Sequence, residues 1–256
     1  MIDTITDFGH GFHHIRGTFR VGGVVDVGTH CSLVELPDGG CVFLDSYTLT
    51  GGVLEEAMRL TDGGRRVRAI LNLHPYHTVH CEWIHRTFPH AALHGTARHR
   101  DKLPHLPWHS DGCEGEALAQ AFGPHLRFSV PRGVDLVCES ARVHFGSVLA
   151  FHPASGTIHV DDTLSRVELP FPLSALPQSG RLDFHPTLHL ALRREAGVAD
   201  AFRDWVFNLS TEWRDARRLA AAHNSVAEFA GDFPERLGEA LGRVTPLLER
   251  HRARHG

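Results

Sequence analysis

The chain has 256 residues, 42% of them hydrophobic and 22% charged, which is the composition of a folded globular protein and not of a disordered or fibrous one. With 26 basic and 30 acidic residues the formal net charge is −4, so no global field draws the chain to nucleic acid or to an anionic membrane. No apolar stretch reaches the ~18 residues that a membrane helix needs.

The first fifty residues read as β structure. Phe12 to Phe19, Val24 to Val27, Ser32 to Leu36 and Cys41 to Leu44 are short apolar or alternating runs. Pro37-Asp38-Gly39-Gly40 between the last two is a turn signal, with Pro fixing φ and Gly supplying positive φ. Asp45-Ser46 ends that hairpin. A helix over Gly51 to Leu60 puts Val53, Leu54, Ala57 and Met58 on one side and stops at Asp62-Gly63-Gly64. Arg66 to Leu73 is a nearly continuous apolar run, as suits a strand buried on both faces. A helix from about Thr78 to Arg86 and a short strand over Ala91 to His94 follow.

Residues 95–125, rich in Pro, Gly and charge, read as a surface excursion or lid, with Trp108 the aromatic expected to line a pocket. Leu126 to Val130, Val134 to Cys138, Ala141 to Phe151 and Gly156 to Asp161 form a second block of strands, and 170–186 is a Pro-rich loop. Ala199 to Leu209 is an amphipathic helix. Small residues over 217–222 interrupt the helical part, and Val226 to Arg250 again has helical spacing. Pro234 is tolerable in a first turn, whereas Pro246 is expected to bend or interrupt the last segment. No linker separates two cores. The expectation is a single α/β domain over 1–256, with two mixed sheets packed between helices and a C-terminal helical extension over 226–256.

Five scattered cysteines show no Cys-x-x-Cys pair, and no secretory leader is legible, so a reduced cytoplasmic protein is expected. The 22 histidines are partly compositional: Lys102 is the only lysine, and Arg, Ala, Gly and Leu abound, as in a GC-rich genome. Position must therefore single out the histidines that matter.

Three polar segments each follow a buried strand, where sites form in α/β proteins. In Asn72-Leu73-His74-Pro75-Tyr76-His77-Thr78-Val79-His80, histidines recur every three residues. A helix starting near Pro75 would put His77 and His80 on one face, able to share a metal. In Thr157-Ile158-His159-Val160-Asp161-Asp162-Thr163-Leu164, alternation lets only one carboxylate face a site. Asp162 is the expected ligand, with Asp161 solvated or bonded to a loop N–H. In the third, a small-residue strand ends at His223-Asn224-Ser225. Taken singly, a His-rich helix start, an Asp-capped turn and an Asn or Ser helix cap explain the three segments as well.

Taken together and in this order, they resemble the metallo-β-lactamase fold superfamily. Val27 to Leu36 followed by Gly39 to Ser46 is similar to that family's opening hairpin, which ends in Asp-Ser or Asp-Thr. Ala69 to His74 is similar to its core strand leading into the metal loop, and His152 to Leu164 to its hairpin ending in Gly-Asp-Thr-Leu. The family's His-x-His-x-Asp-His signature is incomplete: Asn72 stands at the first His, His74 at the second, Tyr76 at the Asp and His77 at the last. His144 is the expected third-loop ligand, and His152 its rival.

The resemblance implies a four-layer αβ/βα sandwich. It also implies a site drawn from His74, His77, His80, His144, Asp162 and His223, holding one or two ions of zinc, or else iron or manganese. Metal-bound hydroxide would attack an ester, thioester, amide or phosphoester of a small molecule, with Asp162 in the catalytic role. Tyr76 cannot replace the family's Asp at neutral pH, since its pKa is about 10, so a mononuclear site is favoured over a dinuclear one. The alternative is a binding or scaffold protein that keeps the fold without a complete metal site. Nucleic-acid and membrane partners are not expected, because the Arg-rich tail is interleaved with Glu249 and helix-patterned Leu. That terminal helix could pack on a second copy of the chain.

Overall fold

The computed structural model describes residues 3–21, 25–26, 28–123, 125–140, 142–167, 180–222 and 225–256. A six-stranded sheet opens the chain. β1 (Thr4–Asp7), β2 (Phe12–Gly17), β5 (Thr29–Glu35) and β6 (Cys41–Leu44) pair antiparallel. β7 (Val67–Asn72) and β8 (Ala92–Gly95) then add in parallel, giving the order β1-β2-β5-β6-β7-β8. A small ribbon of β3 (Arg20–Val21) and β4 (Val25–Asp26) leaves it between β2 and β5. The β5–β6 turn closes as its sequence demands: Gly39 takes φ +82°, and the Leu36 N–H donates to the Gly40 carbonyl at 2.7 Å.

The second sheet has the order β15-β14-β11-β10-β9. It is built from β9 (Arg127–Ser129), β10 (Leu149–His152), β11 (Thr157–Val160), β14 (Arg218–Ala221) and β15 (Ser225–Glu228), with β11 and β14 parallel. β12 (Leu164–Val167) and β13 (Arg181–Phe184) form a separate antiparallel pair.

Alternation along the strands sorts the side chains into three cores. Cys31, Leu33, Phe43 and Ile70 point outward to α1 (Gly51–Leu60) and α2 (Cys81–Thr87), meeting Val53, Ala57, Ile84 and Phe88. Phe12, Val34, Leu44, Leu71 and Ala150 lie between the sheets. Phe151, Ile158, Val160 and Leu219 face α6 (Val198–Glu212) and α7 (Phe233–His255), against Phe202, Trp205, Phe233 and Leu237. Helices, sheet, sheet, helices is the four-layer order expected from the sequence. No helix among the described residues is long and apolar enough to cross a membrane. All five cysteines are free thiols.

Several local expectations are corrected. Residues 95–125 are not a lid: they carry α3 (Ala97–Lys102) and α4 (Ala117–Phe122), and Cys113 and Leu118 are buried between the sheets. Trp108 packs on the outer core of the first sheet, and its indole N–H donates to the Leu103 carbonyl at 2.8 Å. Val134 to Cys138 and 142–148 are irregular, because their backbone groups bond elsewhere. Asp135 N–H reaches the Ala191 carbonyl and Val148 N–H the Leu73 carbonyl, while Cys138 N–H and C=O both meet the Tyr76 hydroxyl. Of the expected loop over 170–186, residues 170–179 lie outside the described residues, and Arg181–Phe184 is a strand. Ser225–Glu228 is an edge strand, and α7 starts only at Phe233, after Gly231 at φ +86°. α7 runs on through Pro246, which is exposed together with Gly242, so water reaches the carbonyl that proline leaves unpaired. α5 (Leu188–Ala191) is a single turn.

Candidate metal centre

The ends of β6, β7 and β11 converge on one rim between the sheets. Asp45, just past β6, adopts φ +59°, a left-handed conformation uncommon outside glycine. Its buried carboxylate accepts the Leu73 and His74 N–H groups on Oδ1 at 2.8 and 3.3 Å. The start of the loop after β7 is thereby tied to the end of β6, which places His74.

His74 is fully buried. Its Nε2 lies 3.2 Å from Asp162 Oδ2 and 3.1 Å from the His144 carbonyl. The Nδ1 of His144 lies 3.9 Å from the same Asp162 oxygen, with the His144 side chain 39% exposed. Donor atoms of His74, His144 and Asp162 all lie within 4.8 Å of one another. Beside them the His77 ring packs on His74 with centroids 4.1 Å apart, and its Nδ1 is 3.5 Å from Asp161 Oδ1. Burial would disfavour charge on either member of that pair, but their mutual attraction prevails. His77 is raised to about 9 by Asp161, with Asp162 and Asp45 adding, and Asp161 is held well below the usual carboxylate range by His77 and His30.

The sequence-derived residues thus divide. His74, His144 and Asp162 come together, and His77 joins them through Asp161. Asp161 is not solvated: its side chain is 0% exposed and accepts from His30 Nε2 at 3.0 Å. It lies one residue beyond β11, where strand alternation no longer governs direction. His80 turns away. α2 begins only at Cys81, so His77 and His80 share no helix face, and His80 Nδ1 meets the Thr48 hydroxyl at 2.9 Å. Burial, then His77, lowers His80 to about 4. His152 sits at the other end of the β10–β11 hairpin, bonded to Ser155. His223 lies outside the described residues.

Sequence reasoning passed over His30, His159, Asp45 and the true place of Asp161. The signal was present: His159 alternates with Ile158 and Val160, and His30 and Ser32 with Cys31 and Leu33. Both histidines must therefore face the gap between the sheets.

No protein-family model matches the chain, and no curated protein matches it in sequence. Solved structures do match over nearly their whole length. A metallo-β-lactamase from Erythrobacter litoralis, with β-mercaptoethanol in its active site, superposes with a TM-score of 0.59 at 15% identity, covering 97% of this chain and 96% of that one. The metallo-β-lactamase FIM-1 from Pseudomonas aeruginosa, in its mono-zinc form, gives 0.60 at 11% identity over 95% and 96%. One from Hirschia baltica gives 0.58 at 12% over 96% and 97%. The chain has the metallo-β-lactamase fold.

Within that metallo-β-lactamase fold, the two signature departures are built in. Asn72 accepts the Ser46 hydroxyl at 2.5 Å and the Cys81 thiol at 3.3 Å, and donates to the His94 carbonyl at 3.0 Å. Tyr76 has its hydroxyl on Cys138, its ring centroid 4.9 Å from that of His144, and the Arg98 guanidinium above it. Neither offers a donor to the centre. The remaining set of two imidazoles and a carboxylate suits zinc or another first-row divalent ion and leaves coordination positions for water or substrate.

Proposed function

We propose that this chain is a metal-dependent hydrolase acting on an ester, thioester, amide or phosphoester of a small molecule. The observation that carries the reading is the convergence of His74, His144 and Asp162 at the rim where strand ends from both sheets meet. A divalent ion there, zinc or else iron or manganese, supplies Lewis acidity and hydroxide at neutral pH. The chain's own residues supply the rest. Asp45 fixes the backbone that aims His74, and Tyr76 backs the His144 ring. His77, held protonated at neutral pH by Asp161, keeps a proton at the mouth that a leaving group can take. The free thiols suit a reducing compartment such as the cytoplasm.

Elemental analysis of untagged protein tests this reading, combined with a screen of the four ester and amide classes. About one equivalent of metal at this centre and measurable turnover are expected. Asp162→Ala should lose that metal and at least ~100-fold in turnover. Unchanged metal content and turnover in that variant would overturn the reading.

One observation favours a second reading, a binding protein on the same scaffold. The Tyr76 N–H donates to His74 Nδ1 at 3.2 Å, which leaves the ring proton on Nε2 facing Asp162. A cation at Nε2 needs that proton moved against the Tyr76 N–H. Protein that stays metal-free after incubation with zinc or iron, yet binds a small molecule without turnover, would establish this second reading.

A further inference from the structure

Behind the rim, between the two sheets, lies a second cluster, whose two imidazoles have no part in the proposed activity. His30 on β5 and His159 on β11 stack face to face, centroids 4.4 Å apart and planes 10° apart. His30 Nε2 meets Asp161 Oδ1 at 3.0 Å, and His159 Nε2 meets Asp45 Oδ2 at 2.9 Å. Side chains of all four are at most 2% exposed. We propose that His30, His159 and Asp161 form a second, wholly buried site for a divalent transition-metal ion, with Asp45 available as a fourth donor.

Three observations point to a cation here and not merely to two His–Asp pairs. Donor atoms of His30, His159 and Asp161 lie within 4.8 Å of one another, so a small contraction brings them round one ion. Asp161 Oδ2 and His30 Nδ1 are buried without a hydrogen-bond partner, and an orphaned buried carboxylate oxygen costs several kcal/mol unless something neutralises it. The nitrogen of His159 away from the cluster, Nδ1, is bonded to the Ser32 hydroxyl at 3.0 Å, the outer-shell contact that orients a metal-binding imidazole. Imidazole with carboxylate in a closed, dry site selects zinc or its first-row neighbours over calcium or magnesium, which want six or more oxygens. The donors come from strands of both sheets, so an ion there would also clamp the sandwich.

The buried site and the rim centre share no ligand, and one set of measurements separates the two. Full-length untagged protein is stripped with chelator, reloaded with zinc alone, dialysed and counted by plasma mass spectrometry. Wild type is expected to hold two equivalents, the His30→Gln/His159→Gln double variant one, and Asp162→Ala one. Two equivalents retained by the double variant would overturn the buried site. A single equivalent lost in Asp162→Ala but kept in the double variant would overturn it and leave the rim standing. The reverse pattern would keep the buried site and sink the rim, and wild type that takes no zinc would sink both. Because the double variant can misfold, crystals of zinc-loaded wild type provide a second measurement. An anomalous peak enclosed by His30, His159 and Asp161 is expected; its absence there, or a peak only against His74, His144 and Asp162, would overturn the proposal.

Discussion

Asn72 ends β7 with its whole amide committed to Ser46, Cys81 and the His94 carbonyl, and it is fully buried. Asn72→Ala would leave the Ser46 hydroxyl and the His94 carbonyl without this partner inside the protein. We expect a loss of about 2–4 kcal/mol, read from urea unfolding of metal-free protein. A loss below ~0.5 kcal/mol would show that Asn72 is not the knot that ties β6, β7 and β8 together. At this scale the sequence disclosed part of the site. His74 and Asp162 could be singled out because each follows a buried strand, and His144 only through the resemblance. His80 was misplaced because residues 74–80 spend their backbone bonds in turns, His77 N–H to the His74 carbonyl and Thr78 N–H to the Tyr76 carbonyl, which delays the helix. Asp161 was misjudged because one residue past a strand the pleat no longer dictates which way a side chain points.

Elements with a strong period were legible, and those held by single side chains were not. α1 spans the expected Gly51–Leu60 because an apolar stripe and a glycine stop coincide there. Irregular stretches such as 142–148 depend on partners far away in sequence, and no local pattern encodes them. α7 shows what a period can miss: helical spacing from Val226 onward includes an edge strand, yet Phe233, Leu237, Ala240 and Leu248 do form one buried face. That face covers the second sheet, so α7 is structural to the sandwich even though it stands at its C-terminal end. Leu237, with 0% exposure in the largest core, should lose 2–5 kcal/mol on substitution to Ala, roughly as large-to-small core changes do. Wild-type-like thermal unfolding of Leu237→Ala would mean that the sandwich is complete without its last helix.

The folded chain as a whole buries histidines that an unfolded chain would leave in water, and this sets its response to pH. Burial, with smaller like-charge contributions, lowers His80, His94 and His152 to about 4 and His99 to about 3. Each is neutral in the fold but takes a proton below 6.5 once unfolded. The unfolded state then binds more protons, so stability is intact above 6.5 and falls as pH drops towards 4. Each group contributes about 1.4 kcal/mol per pH unit, so four together approach ~6 kcal/mol per unit, against a total stability of roughly 5–15 kcal/mol. His77 has the opposite sign. With its pKa raised to about 9, its contribution is full below 6.5 and is lost as pH climbs through 9. Urea midpoints of chelator-treated protein should therefore peak near neutral pH, with the acid limb steeper than the alkaline one because at least four histidines act there against one. His152→Asn should flatten the acid limb by at most about a quarter without moving the alkaline one. A midpoint that stays level from neutral down to about pH 5 would mean that these rings meet water in the folded protein.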